Sequence, residues 1–167
     1  MMLKRFLKNE RGLTLIELLA VVVILGIIAA IAVPSIGGLI DNSKKDAHVA
    51  NAQQMINSAK IAVTGDKNLL PANGETFIIN LKYLEDKGYI ETLKDPDGSG
   101  ATALTSYTRA TTAKGEKLAG DPPTDDSYVL ITNATNKLSY KVRLANATRG
   151  IKTVTEEASL SRTSVTE

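Results

Sequence analysis

Cysteine is absent from the 167 residues. A small extracytoplasmic domain often carries a disulfide staple; none can form here, so stability must come from packing, assembly or a bound ion. Histidine occurs once, at His48 on a helical segment, which argues against a histidine-based triad or zinc cluster. The chain has no phosphate-binding glycine loop and no dinucleotide glycine pattern, so nothing in it points to an enzyme. Aromatic residues make up 4%, and the core outside the apolar N-terminal stretch must be modest and aliphatic. Net charge is only +2, and Lys4, Arg5, Lys8 and Arg11 against Glu10 place +3 in residues 1–12, leaving about −1 for the rest. The basicity is local to the N-terminus and is no signal for nucleic acid.

What is present is concentrated near the N-terminus. Gly12-Leu13-Thr14-Leu15-Ile16-Glu17 leads into residues 18–40, which contain no charged side chain. A charge within a bilayer costs on the order of 3 kcal/mol on insertion scales, so Glu17 is a functional candidate that needs a partner. A basic cluster before an apolar span places residues 1–12 in the cytoplasm and the C-terminus outside. A secretory signal would need a short apolar core followed by a small-residue cleavage site. Here the run is too long and the candidate cut precedes it. A plain signal anchor leaves Glu17 unexplained.

Residues 1–12 followed by Leu13-Thr14-Leu15-Ile16-Glu17 resemble the prepilin leader and processing site of the type IV pilin and pseudopilin superfamily. The resemblance implies a prepilin peptidase that cuts after Gly12 and methylates Leu13, the new N-terminus. It implies that Glu17 pairs with the terminal amine of a neighbouring subunit, and that Gly26 and Pro34 loosen the helix. The first mature residue of the family is most often Phe and is Leu here. The implied life history is storage in the cytoplasmic membrane, then polymerisation by an assembly ATPase and platform into a homo-oligomeric helical filament at the cell surface. Many Gram-negative pilins close a C-terminal loop with a disulfide, so the lack of cysteine leans toward a Gram-positive pilin or a pseudopilin. Residues 81–90 with Lys94-Asp95-Pro96 are also similar to a stretch of Gram-positive pilins and major pseudopilins. Within the class, a pseudopilin of type II secretion or competence DNA uptake is the alternative. Outside it, the alternative is a lone signal-anchored adhesin or binding module. No DNA or surface ligand is indicated.

The expected fold is α+β and pilin-like: a long N-terminal helix, membrane-spanning in its first half, packed on a small antiparallel sheet. Residues 13–40 number 28, about 42 Å if helical, more than a hydrocarbon core of about 30 Å. Pro34 removes a backbone donor, a defect that lipid-embedded neighbours can absorb; it marks either a simple kink or a segment, 26–34, that opens in a filament. Residues 41–64 keep a seam of Val49, Ala52, Ile56, Ala59 and Val63 at helical spacing. One continuous helix ending at Thr64-Gly65-Asp66 is expected, the alternative being two helices broken near Gly37-Gly38. The head, 65–155, reads as a loop over 69–74, a short helix within 77–89 stopped by Gly88, and loops over 95–100 and 110–126. A hairpin of 128–132 with 138–144 follows across Asn133-Ala134-Thr135-Asn136, with a third strand at 151–155. The tail, 156–167, is expected to fray.

Asp95-Pro96-Asp97-Gly98-Ser99 offers oxygens at alternate positions, as a calcium loop does, yet the position of the closing glutamate falls on Ser106. A plain turn is the favoured reading. Asp95 and Asp97 are the weak metal candidates, and calcium, which some pseudopilins bind in their β-region, is the cofactor the resemblance leaves open. Asn133-Ala134-Thr135 and Asn146-Ala147-Thr148 match the glycosylation acceptor pattern, a match that chance explains in so Asn- and Thr-rich a chain.

Overall fold

A computed structural model describes residues 14–98 and 107–167. They divide into two compact units, one ending at Asp41 and the other comprising Asn42–Glu167. Helix α1, Leu15–Gly65, runs through both. It is one continuous helix, with no break at Gly37-Gly38, and it ends at the glycine of the Thr64-Gly65-Asp66 stop.

In the first unit α1 is apolar on every face and its side chains are exposed, Ile31 at 72% and Leu39 at 69%. Such a helix belongs in a membrane or inside a bundle, and this one is long and apolar enough to cross a bilayer. Pro34 lies inside the helix without ending it.

In the second unit α1 buries Ala52, Met55, Ile56, Ala59, Ala62 and Val63, the expected seam, with Val49 packed at its margin. Their partner is a five-stranded antiparallel sheet of order β2-β1-β3-β4-β5. Its strands are β1 (Thr76–Asn80), β2 (Gly115–Lys117), β3 (Tyr128–Ala134), β4 (Lys137–Leu144) and β5 (Ile151–Glu156). The strand period of two sends Ile79, Val129, Ile131, Val142, Leu144 and Ile151 into the same core as the helix seam. Each is fully buried, at about 1.5–3 kcal/mol per large aliphatic side chain. The opposite face gathers a smaller cluster of Ile78, Tyr128 and Leu130.

Four expectations need correction. Residues 77–80 are strand, not helix: Thr76-Phe77-Ile78-Ile79 is a β-branched and aromatic run paired with β3. The Asn80 side chain accepts from the Tyr83 amide and starts α2 only at Leu81 (Leu81–Asp86). Gly88, at φ +73°, stops that helix as expected. The loop at 110–126 contains β2, three residues pinned to β1. Gly115 is needed there, because a Cβ would press on Leu69 and Tyr83. The β3–β4 connection is tighter than expected: Asn133 and Ala134 remain in the strand, and Thr135 and Asn136 alone turn the chain with φ of 53° and 61°, a two-residue hairpin whose twist suits its strands. Finally, the tail folds back instead of fraying. Short 3-10 turns at Glu157–Ser159 and Arg162–Ser164 carry Val165 into the core and Thr166 into a bridge with Gly150.

Candidate functional site

The residues singled out in the sequence fall at two places. Gly12 and Leu13, the expected cut and methylation site, lie outside the described residues, as does Ser106. Glu17 stands in the first turn of α1. Its Oε2 accepts from the Thr14 amide and from the Thr14 hydroxyl, both at 2.8 Å, while the Glu17 amide donates to Thr14 Oγ1 at 3.3 Å. This is a reciprocal capping box: two of the orphan amides at a helix start are satisfied by one Thr-x-x-Glu pair. The carboxylate also sits at the positive end of the helix dipole. Glu17 therefore has a role within its own chain, which the sequence reading missed although the Thr-x-x-Glu spacing signals it. Gly26 and Pro34 lie along the same exposed apolar helix, and a Cβ at Gly26 would meet nothing within 4 Å. No close packing dictates a glycine there.

The start of this apolar helix falls within a family match. Residues 7–33 match the prokaryotic N-terminal methylation motif. The chain carries the signal of the type IV pilins and pseudopilins. No curated protein and no solved structure matches it. The motif marks a type IV pilin-like or pseudopilin precursor, a structural class, and implies processing by prepilin peptidase and assembly into a pilus-type filament in general. With the long apolar segment of α1, it marks a membrane anchor.

The second place is in the pilin-like head, where most of the members come together only through the fold. His48, Asp95 and Asp97 come within 4.8 Å of one another through their ligand atoms. His48 is fully buried. Its Nδ1 lies 2.7 Å from the Tyr107 hydroxyl and its Nε2 lies 2.9 Å from Asp97 Oδ2. Asn51 Nδ2 donates to the same hydroxyl at 3.0 Å and to the Lys94 carbonyl at 2.8 Å. The chain of donors closes with the ring proton on Nε2: Asn51 to Tyr107, Tyr107 to His48, His48 to Asp97. Burial raises the Tyr107 hydroxyl well above its ordinary value, so it stays a donor.

Asp97 is held well below the usual carboxylate range, chiefly by the Arg149 guanidinium, with His48 and Lys44 adding to it against burial. Arg149 grips it with both arms, Nε to Oδ2 at 2.8 Å and Nη2 to Oδ1 at 2.7 Å. Asp95 is equally engaged: its Oδ1 accepts from the Asp97 amide and its Oδ2 from Asn146 Nδ2 at 2.5 Å. Asn146 itself is buried. Asn133 Nδ2 donates to the Pro71 carbonyl.

Only Asp95 and Asp97 were legible beforehand. His48 had a signal, since it stands four residues before Ala52 and so on the core-facing seam, where a polar group must find partners. Arg149 and Tyr107 meet this cluster from 52 and 59 residues away, and no local pattern announces them.

Proposed function

We propose that the mature chain is a structural subunit of a type IV pilus or pseudopilus, polymerised through its N-terminal helix. In this reading the prepilin peptidase cuts after Gly12 and methylates Leu13. The subunit waits in the cytoplasmic membrane with its head outside and then enters a homo-oligomeric filament driven by an assembly ATPase and platform. Glu17 accepts the Leu13 amine of the neighbouring subunit, and Gly26–Pro34 is the stretch that yields on assembly. The observation that carries the reading is the single carboxylate at the head of an exposed apolar helix, inside a matched methylation motif. Transfer from lipid to a protein bundle gains little hydrophobic energy, so shape and this one charge are left to set register.

A lone signal-anchored surface domain is the second reading, and one observation favours it: the capping box gives Glu17 a purely local use. Mass spectrometry of the mature protein separates the two. The filament reading expects a chain that begins at Leu13 with one added methyl group. A mature N-terminus at Met1, or a cut after Ala30 or Ala32, removes it.

A further inference from the structure

We propose that the Arg149 guanidinium is the resident cation of the Asp95–Gly98 turn, standing where a loop of this composition would otherwise hold a divalent ion, so that this turn needs no metal. The turn has the alternating oxygens of a calcium loop, and the fit of that ion can be judged from the donors. Calcium takes six to eight oxygens. Here every oxygen of the two carboxylates already accepts from at least one N–H donor, and the third ligand atom of the cluster is the nitrogen of His48. Asp97 Oδ1 takes Arg149 Nη2 at 2.7 Å and faces Lys44 Nζ at 3.3 Å, while its Oδ2 takes Arg149 Nε and His48 Nε2. Asp95 takes the Asp97 amide and Asn146. Calcium would have to displace a bidentate guanidinium, one of the strong carboxylate pairings, whose side chain is only 11% exposed.

Access does not decide the matter, because Asp97 and Arg149 line a surface hollow with Thr148 and Glu167. An ion from solvent can reach the pair, and it meets the Arg149 guanidinium with the Glu167 residue beside it. The consequence is mechanical as well as electrostatic. The fork ties the segment after β4 to the turn, and His48 and Lys44 tie the same carboxylate to α1, so Asp97 joins three separate parts of the head.

The test is thermal unfolding of the full-length chain in detergent micelles, followed by tyrosine near-ultraviolet circular dichroism. Wild type should melt at the same temperature in millimolar CaCl2 and in EDTA. A site filled at a hundredfold excess over its Kd would raise the midpoint by roughly 5 °C or more. Arg149→Ala should lower the midpoint by about 5 °C or more, and Arg149→Lys, which keeps the charge but not the fork, should fall between. If Arg149→Ala does not fold, the Arg149→Lys loss carries the comparison. A wild-type midpoint that rises in CaCl2 or drops in EDTA overturns the proposal, and so does an Arg149 variant that melts like wild type.

Discussion

Thr14 and Glu17 bind each other twice over, the carboxylate taking the threonine amide and hydroxyl and the threonine oxygen taking the glutamate amide. Both bonds to the carboxylate fall on Oε2, so Oε1 takes no part in the cap. On the proposed reading the cap uses Oε2 and a neighbouring subunit's amine meets Oε1, so capping and pairing are separate uses of one side chain.

Two substitutions separate those uses. Thr14→Ala removes the cap and costs the helix end about 1 kcal/mol, yet it leaves the carboxylate available. It should still give filaments. Glu17→Ala and Glu17→Gln should insert and accumulate normally but yield few filaments, since an incoming amine left unpaired in the bundle costs roughly 3–5 kcal/mol. The measurement is the sheared filament fraction beside a whole-cell immunoblot. Equal loss in Thr14→Ala and Glu17→Ala would assign Glu17 to capping.

Pro34 is carried inside an unbroken helix in the free chain, although it cannot donate to the carbonyl four residues earlier. If residues 26–34 open on assembly, a filament density map will show them extended or irregular. Pro34→Ala restores the missing bond and should stiffen this stretch and reduce filament yield. A straight helix through both residues in the filament overturns the expectation.

How far the fold could be read beforehand depended on how local its causes are. The helix seam, the alternation over 138–144 and the Gly88 stop each follow from spacing within a few residues, and each appears in the structure. Thr76–Asn80 was lost because it runs directly into Leu81 and shares its apolar character; only the Asn80 cap divides them. Gly115–Lys117 is a strand solely because β1 is beside it. The tail composition pointed to disorder, and one valine decided otherwise by reaching a distant core. At the candidate sites the capping box was readable and overlooked. The Asp97–Arg149 fork joins residues far apart in sequence and was not.

Asp97 sets an acid limit on the head. Its folded carboxyl titrates below the ordinary value of 3.8, so it contributes stability that is fully present above about pH 4 and is lost as the pH falls further. Asp97→Asn should cost about 3 kcal/mol at pH 7 by removing the charge that Arg149 grips. The gap between variant and wild type should narrow steadily below pH 4 in urea melts. A gap that is constant from pH 7 to pH 3 would show that the carboxylate charge is not what stabilises the turn.

The folded-back tail offers a contest between charge and burial. Arg162 pairs with Asp46 on α1 through both guanidinium arms, at 2.5 and 2.6 Å, and Lys60 pairs with Glu157 at 2.6 Å. Both pairs stand in solvent, Arg162 and Asp46 at 55% and 50% exposure, where water and salt weaken them. Val165 makes no polar contact to compare with these, yet it is 8% exposed and part of the main core. Its alignment is fixed by the two backbone bonds between Gly150 and Thr166, at 3.0 and 2.9 Å, which hold the chain end along the segment before β5. Trimming Val165 to alanine removes two methyl-sized groups, about 0.8 kcal/mol each, so Val165→Ala should cost about 1.5 kcal/mol or slightly more. Arg162→Ala should produce only a small change that vanishes in molar salt. Chemical denaturation of both variants at low and high salt reads this directly. A larger, salt-sensitive loss from Arg162→Ala than from Val165→Ala would mean that the ion pair, not the buried valine, holds the tail.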